Sequence, residues 1–297
     1  MRTKGYNLTI SINNFQISYD DLGEDTTPIV FLHGFPFDKT MWRSQIDFLQ
    51  SSNRVIAVDI RGFGASKDED TLLSIGLFSD DLIKFMNALG IDKAILCGLS
   101  MGGYIALNAI QRFSNRFSAL ILCDTQCNAD SNEAKEKRYK SIDEINANGV
   151  SAFNENFVKI VFYGGSLLNK KEIVETLRTV VNSNSPHILT TGLRALADRA
   201  ETCSKLGEIS VPTLIMCGRE DALIPLEKAE HMHATITNSV LKVINHAGHV
   251  CNLEQAQEFN KHVCDFMFSI GEGKCIDSKK DESDKKRNNI SKALWDL

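Results

Sequence analysis

The sequence predicts an α/β protein: a mostly parallel, eight-stranded sheet flanked by helices, with a helical insertion. Three observations carry that expectation. Short apolar runs alternate with longer amphipathic stretches up to Cys123 and again after Val211, the pattern of a sheet covered by helices. The opening segments Leu8–Ile12 and Phe15–Tyr19 alternate by two around Asn13-Asn14 and read as a hairpin. Between about Gln126 and Leu206 the apolar spacing is helical throughout, with no convincing buried strand.

In order, Pro28–Leu32, Arg54–Val58, Ala94–Cys97, Ala119–Cys123, Thr213–Cys217 and Val240–Ile244 read as buried strands. Trp42–Leu49, Leu72–Leu89, Met101–Arg112, Leu226–Thr235 and Glu254–Ser269 carry helical spacing between and after them. Within the insertion, Glu133–Ile145, Phe153–Val161, Lys170–Asn182 and Ile188–Cys203 are helix-like. The expected organisation is a core of residues 1–125 and 207–270, a lid at 126–206, and a tail at 271–297. That tail is rich in Lys, Asp and Ser, with too few apolar residues to offset the cost of ordering it. Its closing Leu294 and Trp295 could dock or serve as a partner motif.

The chain has 297 residues and a net charge of -5, with a pI near 5.8. A nucleic-acid binder would show a basic surplus, so that class is disfavoured. No apolar run approaches the roughly 18 residues of a membrane span, and the first residues turn polar too early for a secretion signal. A cytoplasmic location is therefore expected, with neither a nucleic acid nor a membrane as partner; the oligomeric state is not readable. Eight cysteines without a Cys-x-x-Cys pair are expected to be reduced and mostly structural. His231-Met-His233 would point to different faces of a helix, so no metal site is expected there.

The sharpest motif is Gly98-Leu99-Ser100-Met101-Gly102-Gly103, between a strand and a helix. Gly-x-Ser-x-Gly in that context is a nucleophile elbow: a turn too tight for side chains two residues either side of the serine, exposing its hydroxyl. A serine hydroxyl is a weak nucleophile, so a base and an orienting acid should follow. Asp221 lies in the loop after the next-to-last strand and His249 in the loop after the last. The order Ser, Asp, His matches one common triad arrangement. His249 is preferred to His246, and Asp221 to Glu220, with Asp124 as a reserve acid. Backbone N–H groups of Met101 and Phe35 are the expected oxyanion donors. Pro36 has no N–H, and His33 is expected to tie the loop rather than act as a base. Apolar side chains of the insertion, Phe157 and Phe162 among them, are expected to wall the substrate pocket together with Phe35.

These residues resemble the α/β-hydrolase superfamily, and within it the esterase, 3-oxoadipate enol-lactonase and cofactor-free haloperoxidase group. The resemblance rests on His33-Gly-Phe-Pro36, Met41-Trp42, Asp59–Ser66, Gly98–Gly103, Asp221 and Gly248-His249. It implies a lid formed by the insertion and hydrolysis of a small carboxylic ester or lactone with no metal and no organic cofactor. Leu99 departs from the His or Asn that many relatives place before the serine. Ser100 argues against the dehalogenase and epoxide-hydrolase branches, which use Asp there. Thioesterase, C–C hydrolase and perhydrolase chemistry, and a slow-turnover small-molecule receptor, stay open as alternatives. For perhydrolysis, Pro36 would set the Phe35 carbonyl to accept a hydrogen bond from peroxide.

Overall fold

A computed structural model describes residues 2–12, 15–68 and 70–272. The expectations for Leu294 and Trp295, and for nearly all of the charged tail, lie outside the described residues. Eight strands form one sheet: β1 (Gly5–Ile12), β2 (Phe15–Leu22), β3 (Ile29–Leu32), β4 (Val55–Val58), β5 (Ala94–Leu99), β6 (Phe117–Cys123), β7 (Thr213–Gly218) and β8 (Ser239–Ile244). Their order is β1-β2-β4-β3-β5-β6-β7-β8. β2 pairs antiparallel with both β1 and β4, and every other pairing is parallel.

The central strands are buried on both faces because helices cover both. Along β3, Val30 and Leu32 join one apolar cluster while Ile29 and Phe31 join the other, as the two-residue period requires. The first cluster takes in α2 (Ile75–Ala88), α3 (Met101–Arg112) and α9 (Leu226–Thr235). The second takes in α1 (Arg43–Leu49) and α11 (Ala256–Ser269). Expected and observed strand bounds agree within three residues. The expected buried character of Val240–Ile244 does not survive: β8 is the sheet edge, and its burial alternates, with Lys242 exposed. The helix expected over Glu254–Ser269 is α11, which starts two residues later and is preceded by the one-turn α10 (Cys251–Glu254).

Between β6 and β7 run α4 (Asn132–Asn148), α5 (Ser151–Val161), α6 (Gly164–Asn169), α7 (Lys171–Asn182) and α8 (Pro186–Ala197). α4 packs on α8, and α5 on α7. The helix expected over Ile188–Cys203 stops at Ala197, and Cys203 instead opens a 3-10 turn to Glu208. The cysteine expectation is corrected at three described positions: Cys264 is disulfide-bonded, and Cys127 and Cys203 form a disulfide with each other. They flank the insertion, 76 residues apart, and the backbone holds them together independently, since Thr202 donates to the Cys127 carbonyl at 2.8 Å. Cys97, Cys123, Cys217 and Cys251 are free and buried, as small apolar residues would be. No described helix is long and apolar enough to cross a membrane.

Candidate active site

Ser100 ends β5 and caps α3, with φ 53° and ψ -112°, a region that L-residues avoid without tertiary enforcement. The enforcement is steric. A Cβ on Gly98 would lie 2.2 Å from the Gly102 carbonyl oxygen, and one on Gly102 would lie 2.2 Å from the Leu32 carbonyl oxygen. The two glycines thus relieve different clashes, one within the turn and one against the end of β3. Gly34 brings the next loop close, since its Cβ would stand 3.3 Å from that of Ser100. Two hydrogen bonds then fix the turn: Ser100 N–H donates to the Cys123 carbonyl at 2.9 Å, and Thr125 Oγ1 donates to the Ser100 carbonyl at 2.8 Å.

His249 and Asp221 meet at the carboxyl ends of β8 and β7. Nδ1 of His249 lies 2.7 Å from Asp221 Oδ2. Asp221 Oδ1 accepts from the N–H groups of Leu223 at 2.8 Å and Ile224 at 3.0 Å. A carboxylate only accepts, so the proton resides on Nδ1 and leaves Nε2 bare in the neutral ring. Burial alone would push this imidazole down, but the charge and hydrogen bond of Asp221 outweigh it and hold His249 above the ordinary histidine value. His246, by contrast, is exposed and packs beside Tyr163. Glu220 supports the same loop from outside, accepting from the Ala247 N–H.

Asp124 is fully buried behind this pair. Burial first, and the Asp221 charge second, raise its carboxyl to about 8. Its Oδ1 accepts from Gly218 N–H at 2.7 Å, and it makes no bond to His249. His33 is tied to its loop: Nδ1 bonds the Gly34 carbonyl at 2.8 Å, and Nε2 accepts from Ile60 N–H at 3.0 Å. Burial lowers its pKa, as suits a neutral ring with one donor and one acceptor nitrogen. Met101 opens α3, so its N–H has no acceptor within the helix. The Phe35–Pro36 bond is cis, and the Pro36 carbonyl accepts from Asn184 Nδ2 of the insertion at 2.8 Å.

Ser100, His249 and Phe35 line one cavity of about 400 Å³. Its apolar wall includes Phe153 and Phe157 of α5, Leu193 and Leu196 of α8, and Leu223. Phe162 does not belong to that wall. It is buried in the second apolar cluster, after the helical turns of α5 end. The sequence reading also missed Glu254, which is 1% exposed. Its Oε1 accepts from Gly248 N–H at 2.6 Å and its Oε2 from Tyr163 N–H at 2.9 Å. Together with His249 N–H donating to the Val161 carbonyl at 2.8 Å, this ties the histidine loop to the insertion. Burial pushes the Glu254 carboxyl up, against the pull of these hydrogen bonds. Among the described residues, the grouping with metal-ligand spacing is Cys127, Cys203 and His231, and both of its sulfurs are engaged in the disulfide.

The family profile described as the alpha/beta hydrolase fold matches residues 27–256. The chain belongs to the α/β-hydrolase fold family. Relatives agree over most of its length. It is 28% identical over 256 residues to 3-oxoadipate enol-lactonase 2 of Acinetobacter baylyi, covering 86% of this chain and 94% of that protein. A thermophilic esterase from Thermogutta terrifontis, solved with malate bound, superposes with a TM-score of 0.83 at 32% identity, covering 91% of this chain and 99% of the esterase. An esterase from Exiguobacterium antarcticum gives 0.79 at 25% identity, covering 89% and 99%. Family and relatives alike support a hydrolase of the α/β-hydrolase fold.

Proposed function

We propose that this α/β-hydrolase cleaves a small carboxylic ester or lactone through an acyl-enzyme on Ser100. The observation that carries the reading is the strained Ser100 sharing one cavity with a His249 ring whose Nδ1 is held by Asp221. Neutral His249 takes the Ser100 proton at Nε2, and Oγ attacks the carbonyl carbon. The N–H groups of Phe35 and Met101 hold the oxyanion. His249 then protonates the leaving alcohol, and water deprotonated by the same ring releases the acid. Asp221 keeps the proton on Nδ1 and stabilises the imidazolium. Residues 126–206 act as a lid, presenting Phe157 to the substrate beside Phe35, whose ring it meets edge to face. No step in this sequence calls for a metal or an organic cofactor.

The test is turnover of p-nitrophenyl esters and lactones by Ser100→Ala, His249→Ala and the double variant. Each single change is expected to lower kcat by roughly 10⁴- to 10⁶-fold, and the double to cost little more than either, as for groups acting as one unit. Additive losses, or a burst of one equivalent followed by a stall in the unaltered protein, would overturn the reading.

A further inference from the structure

We propose that the substrate of this site carries a carboxylate remote from its reacting carbonyl, bound by Lys137 and Arg138 on α4; the proposal rests on the hydrolytic reading above. The cavity lining is of two kinds. Besides the aromatic and aliphatic residues, the lining includes Ala134, Lys137, Arg138 and Ser141, three or four residues apart and so on one face of α4.

The charges on that face do not balance. Asp130 is the one carboxylate among the cavity-lining residues, and both of its oxygens are taken. Arg138 Nε meets Oδ2 at 2.5 Å, and Arg199 Nη1 meets Oδ1 at 2.6 Å. Pairing with these two arginines holds the Asp130 carboxyl low, despite burial that would raise it. It therefore stays an anion shared between two cations. Lys137 forms no ion pair within 4 Å among the described residues; its charge is felt by the exposed Glu133 on the same helix. The lining set thus bears two cations to one anion, with a third cation immediately behind.

A second observation points the same way. Arg199 is 5% exposed, and its Nη2 is buried with no hydrogen-bond partner. Its guanidinium lies 4.3 Å from the centre of the Tyr104 ring. Tyr104 and Gln126 are shared by the catalytic cavity and an adjoining hollow of about 320 Å³ that Arg199 lines. The charge of Arg199 adds to that of Lys137 and Arg138 at this end of the cavity, where their combined field favours an anion. The surplus suits a carboxylate, whose two oxygens match a guanidinium fork. Asp198, also lining the hollow, accepts from Tyr139 Oη and is not paired with Arg199.

The experiment compares the p-nitrophenyl half-ester of a dicarboxylic acid with the p-nitrophenyl ester of the monocarboxylic acid of equal chain length. Unaltered protein is expected to favour the half-ester about tenfold in kcat/KM, mainly through KM, with the preference shrinking as salt is added. Lys137→Glu and Arg138→Gln should each pull that ratio toward one, and Lys137→Arg should restore it. Calorimetry of a non-chromogenic alkyl half-ester binding to Ser100→Ala supplies a readout without turnover, and Lys137→Glu in that background should abolish the heat. Equal kcat/KM for the two esters, a ratio unmoved by both variants, or no half-ester binding to Ser100→Ala would each overturn the carboxylate site. Binding without cleavage by the unaltered protein would instead sink the hydrolytic reading and leave the anion site standing.

Discussion

The two halves of the candidate site are ordered by different means. The Ser100 elbow is fixed from within the core: Gly98 and Gly102 admit backbone that would otherwise collide, and the Cys123 carbonyl anchors the turn. The His249 loop draws part of its order from the insertion. Its backbone donates to the Val161 carbonyl, and Glu254 joins Gly248 to Tyr163 at the end of α5. Ser100 is therefore set by local sterics, and His249 in part by contacts with a separate helical layer. Whatever shifts the insertion should disturb His249 before it disturbs Ser100.

The most severe way to probe this contrast is Gly102→Ala. Its Cβ would sit 2.2 Å from the Leu32 carbonyl oxygen, with no flexible side chain to move aside. The expected loss is roughly 3–5 kcal/mol of stability, by the measure of other buried steric clashes, read as denaturant midpoint and poor recovery of folded protein. A stable, active Gly102→Ala protein would show that the elbow is not sterically enforced.

Glu254→Gln should be milder and of another kind. One of the two backbone N–H groups loses its acceptor, while the fold keeps its packing. We expect kcat to fall about tenfold, which is about 1.4 kcal/mol, with a smaller change in KM. The pH profile adds a sign. On the proposed mechanism activity needs neutral His249, so it should rise with pH through a value held above the ordinary imidazole, in part by the Glu254 charge. Removing that charge should move the acidic limb to lower pH. An unshifted limb with normal kcat would make Glu254 a packing residue only.

The smallest effect on activity concerns Asp124, which sits where both halves meet. Its carboxyl is raised from 3.8 to about 8 in the folded protein, so between those values the folded state holds a proton that the unfolded state has released. Stability from this group is therefore greatest at low pH and falls as pH rises toward 8. Asp124→Asn should flatten that slope, making the melting temperature less dependent on pH between about 5 and 8. A slope unchanged by the substitution would mean that Asp124 does not titrate there.

This division also explains what could be read from the chain alone. The elbow is a five-residue pattern whose partners are its own neighbours, and the central strands are apolar runs buried on both faces, so both were legible. β8 was misread because four of its six residues are apolar; Lys242 in mid-run was the sign of an edge strand. Helix α6 was missed because it opens on Gly164-Gly165, which lack helical preference. Phe162 was placed in the pocket because Val161-Phe162-Tyr163 has no period to say which way each points. Glu254 and Asp130 gave no signal because their partners lie elsewhere: Tyr163 is 91 residues from Glu254, and Arg199 contacts Asp130 from beyond α8.

The bridge between Cys127 and Cys203 has a mechanical consequence. Were the molecule pulled by its two ends, tension would pass from β6 across the sulfurs into the turn before β7, bypassing α4 through α8. The insertion would carry none of the load and add nothing to the extended length. Reduction would release 76 residues of slack, about 250 Å when drawn out. Under force, therefore, the helical layer over the catalytic cavity would be the most sheltered part of the protein while the bridge is closed and a direct bearer of load once it opens.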